Sequence, residues 1–508
     1  MNPSQIIDRL NDIERRYPVA EWRVGTLHVW PILRERIFTA ILFSYLLPAG
    51  EHPTARASLR KRFFSTPLNL LKLIRAIVSD TQARRLSFKP ADVLLLGDGT
   101  AFAWTGEMWY DRIMDPPAAL LDRRGLTSFL MSPGWLSLHP RRRPSLFIQP
   151  QLEIRKILAT IRLWLSGPPA DVSLESLESC LAELRREEFG RVIPGSAWLF
   201  AHTARILALT SFFSRAIAKV RPRIGLVNTY YSAEGHAFCL ACRWAGIPVA
   251  DLQHGSQGDD HMAYGRWQAQ PPGGYKLMPN RFWVWSETER AAISRWSNGH
   301  DQVPVVVGNP WLRIWRDRSE PFVVQSFARA IEQRRRHPAQ RHVLVALSWG
   351  YSDGEISGLF AALKLLPKNE YYWWIRLHPF QLGQEKHYIE LARNAGLENF
   401  DLEIATALPL FAVFDVVDLH VAPGSTTVME AADWGLRSVI TTEYGLDLCR
   451  SAVDAGYAVA VIGDKAIAAA IERLAAMGRL PVSVDAAGAG SLEAAIDDLL
   501  HLGKIAVG

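Results

Sequence analysis

ADVLLLGDG, residues 91–99, is the stretch from which the fold of this chain is predicted. Its apolar core runs from Val93 to Leu96 and is followed by Gly-Asp-Gly. A short apolar run that ends on glycine is typical of a strand buried on both faces of a parallel sheet. Residues 1–90 have mostly helical spacing and no clear strand pattern. We therefore predict a helical N-terminal region that gives way to an α/β region near Ala91.

Runs of the same kind recur along the rest of the chain. Before residue 316 they lie at 126–133, 224–230, 248–255, 281–287 and 303–310. A second series lies at 342–350, 371–379, 416–424, 436–443 and 457–463. Helix-length segments separate most of these runs, and such alternation predicts a doubly wound parallel sheet. The chain is therefore expected to be an α/β protein with two doubly wound, Rossmann-like lobes that face a cleft.

Domain boundaries follow from where each series begins and ends. We expect a basic, helical N-terminal region over 1–90 and a first lobe over 91–315. A polar, basic linker over 316–340 leads to a second lobe over 341–490. Residues 491–508 are predicted to form a C-terminal helix that braces one lobe on the other.

Composition limits the class of protein. Apolar residues make up 49% of the chain, charged residues 21%, and there are only four cysteines. These values indicate a globular protein of a reducing cytoplasm. The longest apolar stretch, 30–47, is interrupted by three charged residues, which is too costly for a membrane helix.

The positive charge is concentrated near the N-terminus. Residues 1–90 hold 15 Lys/Arg against 7 Asp/Glu, whereas the whole chain has a net charge of +6. Two interpretations remain open for this region: contact with an anionic membrane at the inner face of the plasma membrane, or a solvated basic surface. No nucleic-acid-binding module accompanies the charge, so a nucleic-acid partner is not expected.

Ligands of open α/β sheets bind beyond the carboxyl ends of the strands. In the second lobe, Ser348 and Gly350 close the first predicted strand, and Arg376 and His378 close the next. Small residues let backbone N–H groups approach an anion, and a guanidinium beside an imidazole suits a phosphate. The alternative for His378 is a side chain that only caps a turn.

A hydroxyl-rich segment follows the third run of the second lobe. Ser425, Thr426 and Thr427 open a predicted helix, and Glu430 lies one turn further on. Hydroxyls at a helix N-terminus suit a phosphate, although ordinary N-capping gives the same pattern. Glu430 could accept hydrogen bonds from a ribose diol or interact with the helix dipole.

With these motifs in place, the second lobe resembles the nucleotide-binding domain of GT-B glycosyltransferases, in particular bacterial capsule, sialic-acid and Kdo transferases. The resemblance rests on Arg-x-His-Pro at 376–379 and on Ser-Thr-Thr before Glu-Ala at 425–431. It implies that His378, Ser425 and Thr426 contact the phosphate of a nucleotide-sugar donor, and that the first lobe faces the acceptor. Gln-His-Gly at 253–255 is also similar to a segment of capsule-type and teichoic-acid polyol-phosphate transferases.

Two residues of the first lobe are alternatives for the catalytic base. His254 and Asp98 each follow a predicted strand, and either could take the proton of an acceptor hydroxyl. An aromatic loop with Trp104, Glu107 and Trp109 could hold a sugar face. Trp267 is a further candidate for stacking on a sugar.

The expected activity is transfer of a sugar from a nucleotide-sugar donor to a surface polysaccharide or lipid-linked glycan, with inversion. No Asp-x-Asp occurs in the chain, so we expect no metal and no cofactor besides the donor substrate. The alternatives are a CDP-alditol polyol-phosphate transferase, a nucleotide-sugar 2-epimerase and a non-catalytic scaffold of a polysaccharide assembly complex.

Overall fold

The computed structural model describes residues 1–46, 88–134, 139–255, 257–338, 340–348, 350–481 and 491–505. Within these ranges, the first lobe is built on one sheet in which every strand pair is parallel. Its strands are β3 (Val93–Leu96), β6 (Ser128–Ser132), β7 (Leu146–Phe147), β9 (Ile224–Asn228), β10 (Val249–Leu252), β11 (Arg281–Val284) and β12 (Val303–Val306). Their spatial order is β12-β11-β10-β9-β3-β6-β7. The chain therefore winds outward in both directions from the β3–β9 pair.

The second lobe repeats this plan. Its parallel sheet contains β13 (Arg341–Ala346), β14 (Tyr371–Arg376), β15 (Phe400–Asp401), β16 (Leu419–Ala422), β17 (Ser438–Ile440) and β18 (Ala458–Ala460). The order β15-β14-β13-β16-β17-β18 is the 3-2-1-4-5-6 order of a Rossmann fold. The prediction of two doubly wound, Rossmann-like lobes is confirmed. Each predicted apolar run overlaps one of these strands. Most of the strands are buried along their length, whereas the edge strand Val303–Val306 is only partly buried.

Helices cover both sheets. Those of the first lobe are α3 (Asp115–Arg123), α4 (Gln149–Ser166), α5 (Leu177–Leu184), α6 (Ser196–Val220), α7 (Ala233–Trp244) and α8 (Glu287–Ser297). Those that follow are α9 (Pro310–Asp317), α10 (Pro321–Arg335), α11 (Asp353–Lys364), α12 (Glu385–Asn394), α13 (Glu403–Ala407), α14 (Leu410–Val416), α15 (Thr427–Asp433), α16 (Glu443–Leu448), α17 (Arg450–Asp454) and α18 (Asp464–Met477).

The described part of the N-terminal region contains two helices and two strands. Helices α1 (Pro3–Arg16) and α2 (Trp30–Leu46) flank β1 (Arg23–Val24) and β2 (Leu27–His28). The strands form an antiparallel sheet with β8 (Val172–Ser173). The expectation of no strand here is wrong, because two-residue strands are too short to give a periodic pattern. The most basic part of the region, 47–87, lies outside the described residues.

Two elements join the lobes. Helix α10 occupies most of the stretch predicted as a linker, and its Val323 and Phe327 pack with Leu344 and Trp374 of the second sheet. The C-terminal helix α19 (Leu492–Ile505) returns to the first lobe, where Ile496 packs in the same cluster as Val93 and Leu95 of β3. The end of the chain is therefore part of the core of the first lobe.

Candidate functional site

The first lobe brings three polar side chains together where its strand order reverses. Asp98 follows β3, Thr229 follows β9, and His254 follows the neighbouring β10. Thr229 Oγ1 lies 3.3 Å from Asp98 Oδ2 and 3.3 Å from His254 Nε2. Ligands of doubly wound sheets bind in the crevice at such a reversal. The two predicted alternatives for the base, Asp98 and His254, thus share one cluster and are bridged by a threonine.

The hydrogen bonds of His254 determine which ring nitrogen carries the lone pair. Its Nδ1 lies 3.2 Å from the carbonyl oxygen of Leu252. Because a carbonyl only accepts, this contact places a proton on Nδ1. Burial lowers the pKa of His254, so the ring is neutral at pH 7. The remaining nitrogen, Nε2, is therefore an acceptor, as a general base must be.

Tyr231 is a fourth member of this cluster that sequence reasoning missed. Its hydroxyl lies 3.1 Å from His254 Nε2, and burial raises the pKa of the phenol, so the hydroxyl donates to the imidazole. Tyr231 sits in the turn between β9 and α7, three positions from the end of the strand. The predicted strand at 224–230 ends one residue before Tyr231, and no motif marks this position.

Thr229 has an unusual backbone conformation. Its φ is +64°, in the left-handed region that disfavours β-branched side chains. Such strain persists only where the surroundings impose it, and it is commonest at functional sites. Here it turns the hydroxyl toward both Asp98 and His254. No sequence pattern signals a threonine in this conformation.

Replacing Thr229 with glycine is expected to stabilise the protein by up to about 1 kcal/mol while lowering activity, because the strain and the bridging hydroxyl disappear together. Thr229→Ser keeps the hydroxyl and should retain activity. Urea unfolding followed by fluorescence measures the first effect, and turnover of the donor measures the second. A Thr229→Gly protein that is less stable than the wild type would show that the left-handed backbone costs nothing.

Asp98 is held in a tight turn. Its two carboxylate oxygens accept hydrogen bonds from the Thr100 amide at 2.8 Å and the Thr100 hydroxyl at 2.7 Å. Gly99 has a φ of +82°, and a Cβ there would lie 2.2 Å from the carbonyl oxygen of Pro133. Only glycine fits this position, which fixes Asp98 at the mouth of the first lobe. The turn also keeps both carboxylate oxygens of Asp98 hydrogen-bonded, whereas His254 Nε2 accepts from the Tyr231 hydroxyl.

A second acidic group lies beside Asp98. Asp111 is buried, and burial raises its pKa to about 6, with the charge of Asp98 adding to the rise. Its Oδ1 accepts from the amides of Ile113 and Met114, both at 3.0 Å. Asp111 closes the strand that carries Trp109 and so links the hairpin to the site.

The aromatic segment predicted to hold a sugar is a hairpin of β4 (Phe102–Trp104) and β5 (Trp109–Asp111). Trp104 and Trp109 face each other across it, with ring centroids 5.3 Å apart, and Glu107 is exposed at its tip. Trp267, in contrast, is 3% exposed and lies under the guanidinium of Arg34 at 4.1 Å. Its expected role in sugar stacking is wrong, because no face of its ring reaches solvent.

The second lobe has its own strand reversal, between β13 and β16, and the predicted residues Ser348 and Ser425 follow these two strands. Ser348 Oγ donates to the carbonyl of Gly424 at 2.8 Å, which ties the two strand ends together. A Cβ on Gly424 would lie 2.7 Å from the Cα of Gly445, so this loop passes close to its neighbour. Gly350 is exposed beside it with a φ of +94°. Ser348 therefore positions the loop rather than offering its own hydroxyl proton.

Arg376 is committed to the protein itself. Its Nη1 donates to the carbonyls of Ala405 at 2.7 Å and Leu408 at 2.5 Å, around the end of α13. Burial lowers the pKa of Arg376 to about 10. The side chain predicted to bind a phosphate directly thus anchors the loop that follows α13.

His378 lies beyond the end of β14 and caps a short 3₁₀ turn over Pro379–Gln381. Its Nδ1 accepts from the Phe380 amide at 3.2 Å, which is the capping role considered as an alternative. Burial lowers the pKa of His378, so the ring is neutral at pH 7. Because Nδ1 accepts, the proton is on Nε2, which is then a donor that could meet an anion.

The hydroxyl-rich loop leads into α15, which begins at Thr427 and is only 7 residues long. Ser425 Oγ accepts from the Thr427 amide at 3.3 Å, and Thr427 Oγ1 lies 3.3 Å from His420 Nε2 on β16. Thr426 is exposed and its side chain does not cap the helix. The three predicted hydroxyls therefore split into one local cap, one contact to the sheet and one facing solvent.

Arg112, which sequence reasoning missed, connects the two lobes electrostatically. It follows β5 in the first lobe, and its Nε donates to the Ala101 carbonyl at 3.4 Å. Burial raises the pKa of Glu430, while the charges of Arg112 and Arg376 oppose that rise. Positive charges from both lobes, those of Arg112 and Arg376, therefore act on the Glu430 carboxylate.

The described residues contain no group of three or more His, Cys, Asp or Glu side chains placed to hold a metal ion. Their helices include none with the length and hydropathy that a bilayer span requires.

No protein-family model and no curated protein matches the chain. Among solved structures, it is similar to UDP-GlcNAc 2-epimerase from Neisseria meningitidis bound to UDP-GlcNAc, at 16% identity over 80% of this chain and 99% of that one, with a TM-score of 0.47. UDP-GlcNAc 2-epimerase from Methanocaldococcus jannaschii matches at 12% identity over 80% and 99%, with a TM-score of 0.47. MurG from Acinetobacter baumannii matches at 13% identity over 81% and 100%, with a TM-score of 0.38. Likenesses this low add nothing to what the strand orders themselves establish, which is two Rossmann-like lobes.

Proposed function

We propose that the chain is a glycosyltransferase of GT-B type, which transfers a sugar from a nucleotide-sugar donor to a surface polysaccharide or a lipid-linked glycan with inversion and without a metal. The observation that carries this proposal is the His254 cluster. A neutral imidazole with an accepting Nε2 lies at the strand reversal of the first lobe, bridged to Asp98 through Thr229. The second lobe presents its hydroxyl-rich loop at its own reversal.

In this proposal the second lobe binds the donor. The Nε2–H of His378, the exposed hydroxyl of Thr426 and the backbone at Gly350 donate hydrogen bonds to the phosphates. Ser348 Oγ and Arg376 Nη1 position the loops that carry these groups, since both donate to backbone carbonyls. Ser425 and Thr427 shape the turn before α15, and Glu430 accepts from the ribose.

The first lobe binds the acceptor, whose sugar stacks on Trp104 or Trp109 with Glu107 at the rim. The acceptor oxygen attacks the anomeric carbon as the bond from that carbon to the phosphate oxygen breaks. His254 Nε2 takes the proton of the acceptor hydroxyl, and the nucleotide leaves with the electron pair of the broken bond. Donors fixed around the leaving phosphate stabilise its developing charge without reorganisation.

The proposed place of action is the cytoplasm, with contact to the inner face of the membrane through the basic N-terminal region. Most of the bases that motivate this contact fall within 47–87, outside the described residues. No nucleic-acid partner and no cofactor are proposed.

The proposal is tested by thermal unfolding of the full chain with CMP, CDP, UDP, GDP, dTDP and ADP. One nucleotide is expected to raise the Tm selectively, because a ligand of the folded state stabilises it in proportion to its affinity. His378→Ala should reduce that shift. His387→Ala is the matched control, because His387 is exposed in the same lobe and pairs with Asp353 at 2.9 Å.

Each outcome of the thermal-unfolding experiment favours or contradicts one of the possible functions. A selective shift by CDP, followed by transfer of an alditol phosphate, would favour the polyol-phosphate transferase. No shift with any nucleotide would contradict the proposal and favour a non-catalytic scaffold. A shift that His378→Ala and His387→Ala leave equally intact would place the nucleotide elsewhere.

A further inference from the structure

Helix α4 carries an apolar face that is turned away from the protein. The helix packs along α6, where Arg205 Nε donates to Thr160 Oγ1 at 3.0 Å and the Arg155 guanidinium lies 4.8 Å from the Phe212 ring. Residues 158, 161 and 165 lie on one stripe of the helix at spacings of three and four, opposite Thr160 and its neighbours on the packed side. The large apolar side chains exposed here are Leu158 (58%), Ile161 (40%), Trp164 (81%) and Leu165 (71%). We refer to these four residues as the α4 surface.

The C-terminal half of α4, which carries these four residues, contains charged side chains of one sign only. Residues 154–170 contain no Asp or Glu, and α6 contains none either. Arg162 is exposed at the edge of the stripe, and no described carboxylate pairs with it. Lys156, in contrast, lies on the packed side and pairs with Glu153 at 3.0 Å. The outward face is therefore apolar with a basic edge.

We propose that the α4 surface docks on an anionic lipid bilayer. Leucine and isoleucine side chains on one helical stripe can enter the acyl boundary, and tryptophan prefers the level of the headgroups. Arg162 at the edge would lie against anionic headgroups. This inference goes beyond the proposed chemistry, because it needs neither a nucleotide nor an acceptor.

Three occupants of the α4 surface can be compared by their charge: residues 47–87 of the same chain, a second copy of the chain, and an anionic bilayer. Residues 47–87 carry eight Lys/Arg against two Asp/Glu, the same sign as the edge of the α4 surface. A second copy would likewise bring two basic edges together. An anionic bilayer, in contrast, carries charge opposite to that of the basic edge of the α4 surface and to that of residues 47–87.

The test is co-sedimentation of the full chain with vesicles of phosphatidylcholine alone or of phosphatidylcholine with about 30 mol% phosphatidylglycerol, an anionic lipid. The wild type is expected to bind the anionic vesicles, and the double variant W164E/L165E is expected to bind at least about tenfold more weakly. The matched control is W244E, because Trp244 is 56% exposed at the end of α7 in the same lobe. W244E should bind like the wild type.

The double variant changes only the α4 surface. Any contribution of other basic segments to vesicle binding is therefore the same in W164E/L165E and in the wild type. Equal binding by W164E/L165E and the wild type would overturn the proposal, as would no binding of the wild type to either vesicle. Sedimentation velocity of the same proteins tests whether a second copy occupies the α4 surface. A wild-type dimer that becomes monomeric in W164E/L165E would assign the surface to a second copy and overturn the proposal. Nucleotide-induced Tm shifts are measured without lipid, so a failure here is separable from a failure of the proposed function.

Discussion

Replacing His254 with glutamine is expected to lower turnover of the donor by about 10²- to 10⁴-fold while leaving the nucleotide-induced Tm shift intact. The imidazole supplies a lone pair on Nε2 that glutamine does not replace as a base. The phosphate-binding groups belong to the other lobe and should not change. Release of free nucleotide from the donor that the titration identifies measures the first quantity.

The pH profile gives this prediction a second reading. His254 must be neutral to accept a proton, and burial lowers its pKa below the ordinary value of 6.5. The rate of the wild type should therefore be full above that value and fall as the pH drops below it. Tyr231→Phe removes a hydroxyl that donates to Nε2, so it should shift this limb with only a modest loss of rate. Retention of activity by His254→Gln within tenfold of the wild type would leave Asp98 as the remaining alternative for the base.

Replacing Arg34 with methionine is expected to destabilise the protein by about 3–5 kcal/mol, because it leaves a buried carboxylate without its partner. Arg34 and Glu14 have fully buried side chains, and Arg34 Nε donates to Glu14 Oε1 at 2.9 Å. Arg34 Nη2 donates to the carbonyl of Gly265 at 2.7 Å, and Nη1 donates to that of Met262. Each nitrogen of the guanidinium therefore has an acceptor, in α1 or in the loop after His254.

This network reaches the candidate site through the loop that it fixes. In that loop, the Tyr264 hydroxyl donates to Asp251 Oδ2 at 2.7 Å, and Ala263 accepts from the Tyr230 hydroxyl at 2.5 Å. Asp251 Oδ1 in turn accepts from the Tyr230 amide at 3.0 Å, directly beside Thr229. Loss of Arg34 should therefore disturb the setting of Thr229 and lower activity together with stability.

Urea unfolding of Arg34→Met, followed by intrinsic fluorescence, measures the expected loss. The double variant Glu14→Gln/Arg34→Met should recover much of it, because the buried charge is then removed as well. Arg16→Met is the matched control in the same region: Arg16 is 42% exposed and its pair with Glu183 should contribute no more than about 1 kcal/mol. An Arg34→Met protein as stable as Arg16→Met would contradict this account of the N-terminal region.

The lobes could be predicted from the sequence because their central strands are long apolar runs with glycine or proline at their ends. The strands that escaped prediction are short or at an edge. Leu146–Phe147, Phe400–Asp401 and the two strands of the N-terminal region have two residues each, too few for any pattern. The hairpin of β4 and β5 was expected as a loop for the same reason.

The site was predicted in outline, because polar residues that follow buried strands are visible in a sequence. His254 and Asp98 were found in this way, and the structure places them 3.3 Å from a common hydroxyl. Thr229 and Tyr231 follow a strand in the same way, yet neither residue type stands out as titratable near pH 7. The commitment of the Arg376 guanidinium to backbone carbonyls was not predictable either, since it depends on a helix that ends 31 positions later in the chain.

In the N-terminal region, the amino-acid composition could not show which charged residues are buried. The excess of basic residues predicted an exposed basic surface, and Arg34 and Glu35 were among the charges that excluded a membrane helix at 30–47. Both residues are buried in the structure, and Arg34 holds the loop beside the candidate site. A charged residue within an apolar helix can thus indicate a buried ion pair as well as an exposed face.

Amide hydrogen exchange of the full chain, with and without the nucleotide that raises the Tm, tests the central claim most directly. We expect slower exchange on nucleotide binding in residues 377–381 and 424–430, because each of these loops is hydrogen-bonded to Ser348 at the end of β13. Protection confined to the first lobe, or a Tm shift with no protection in either loop, would contradict it.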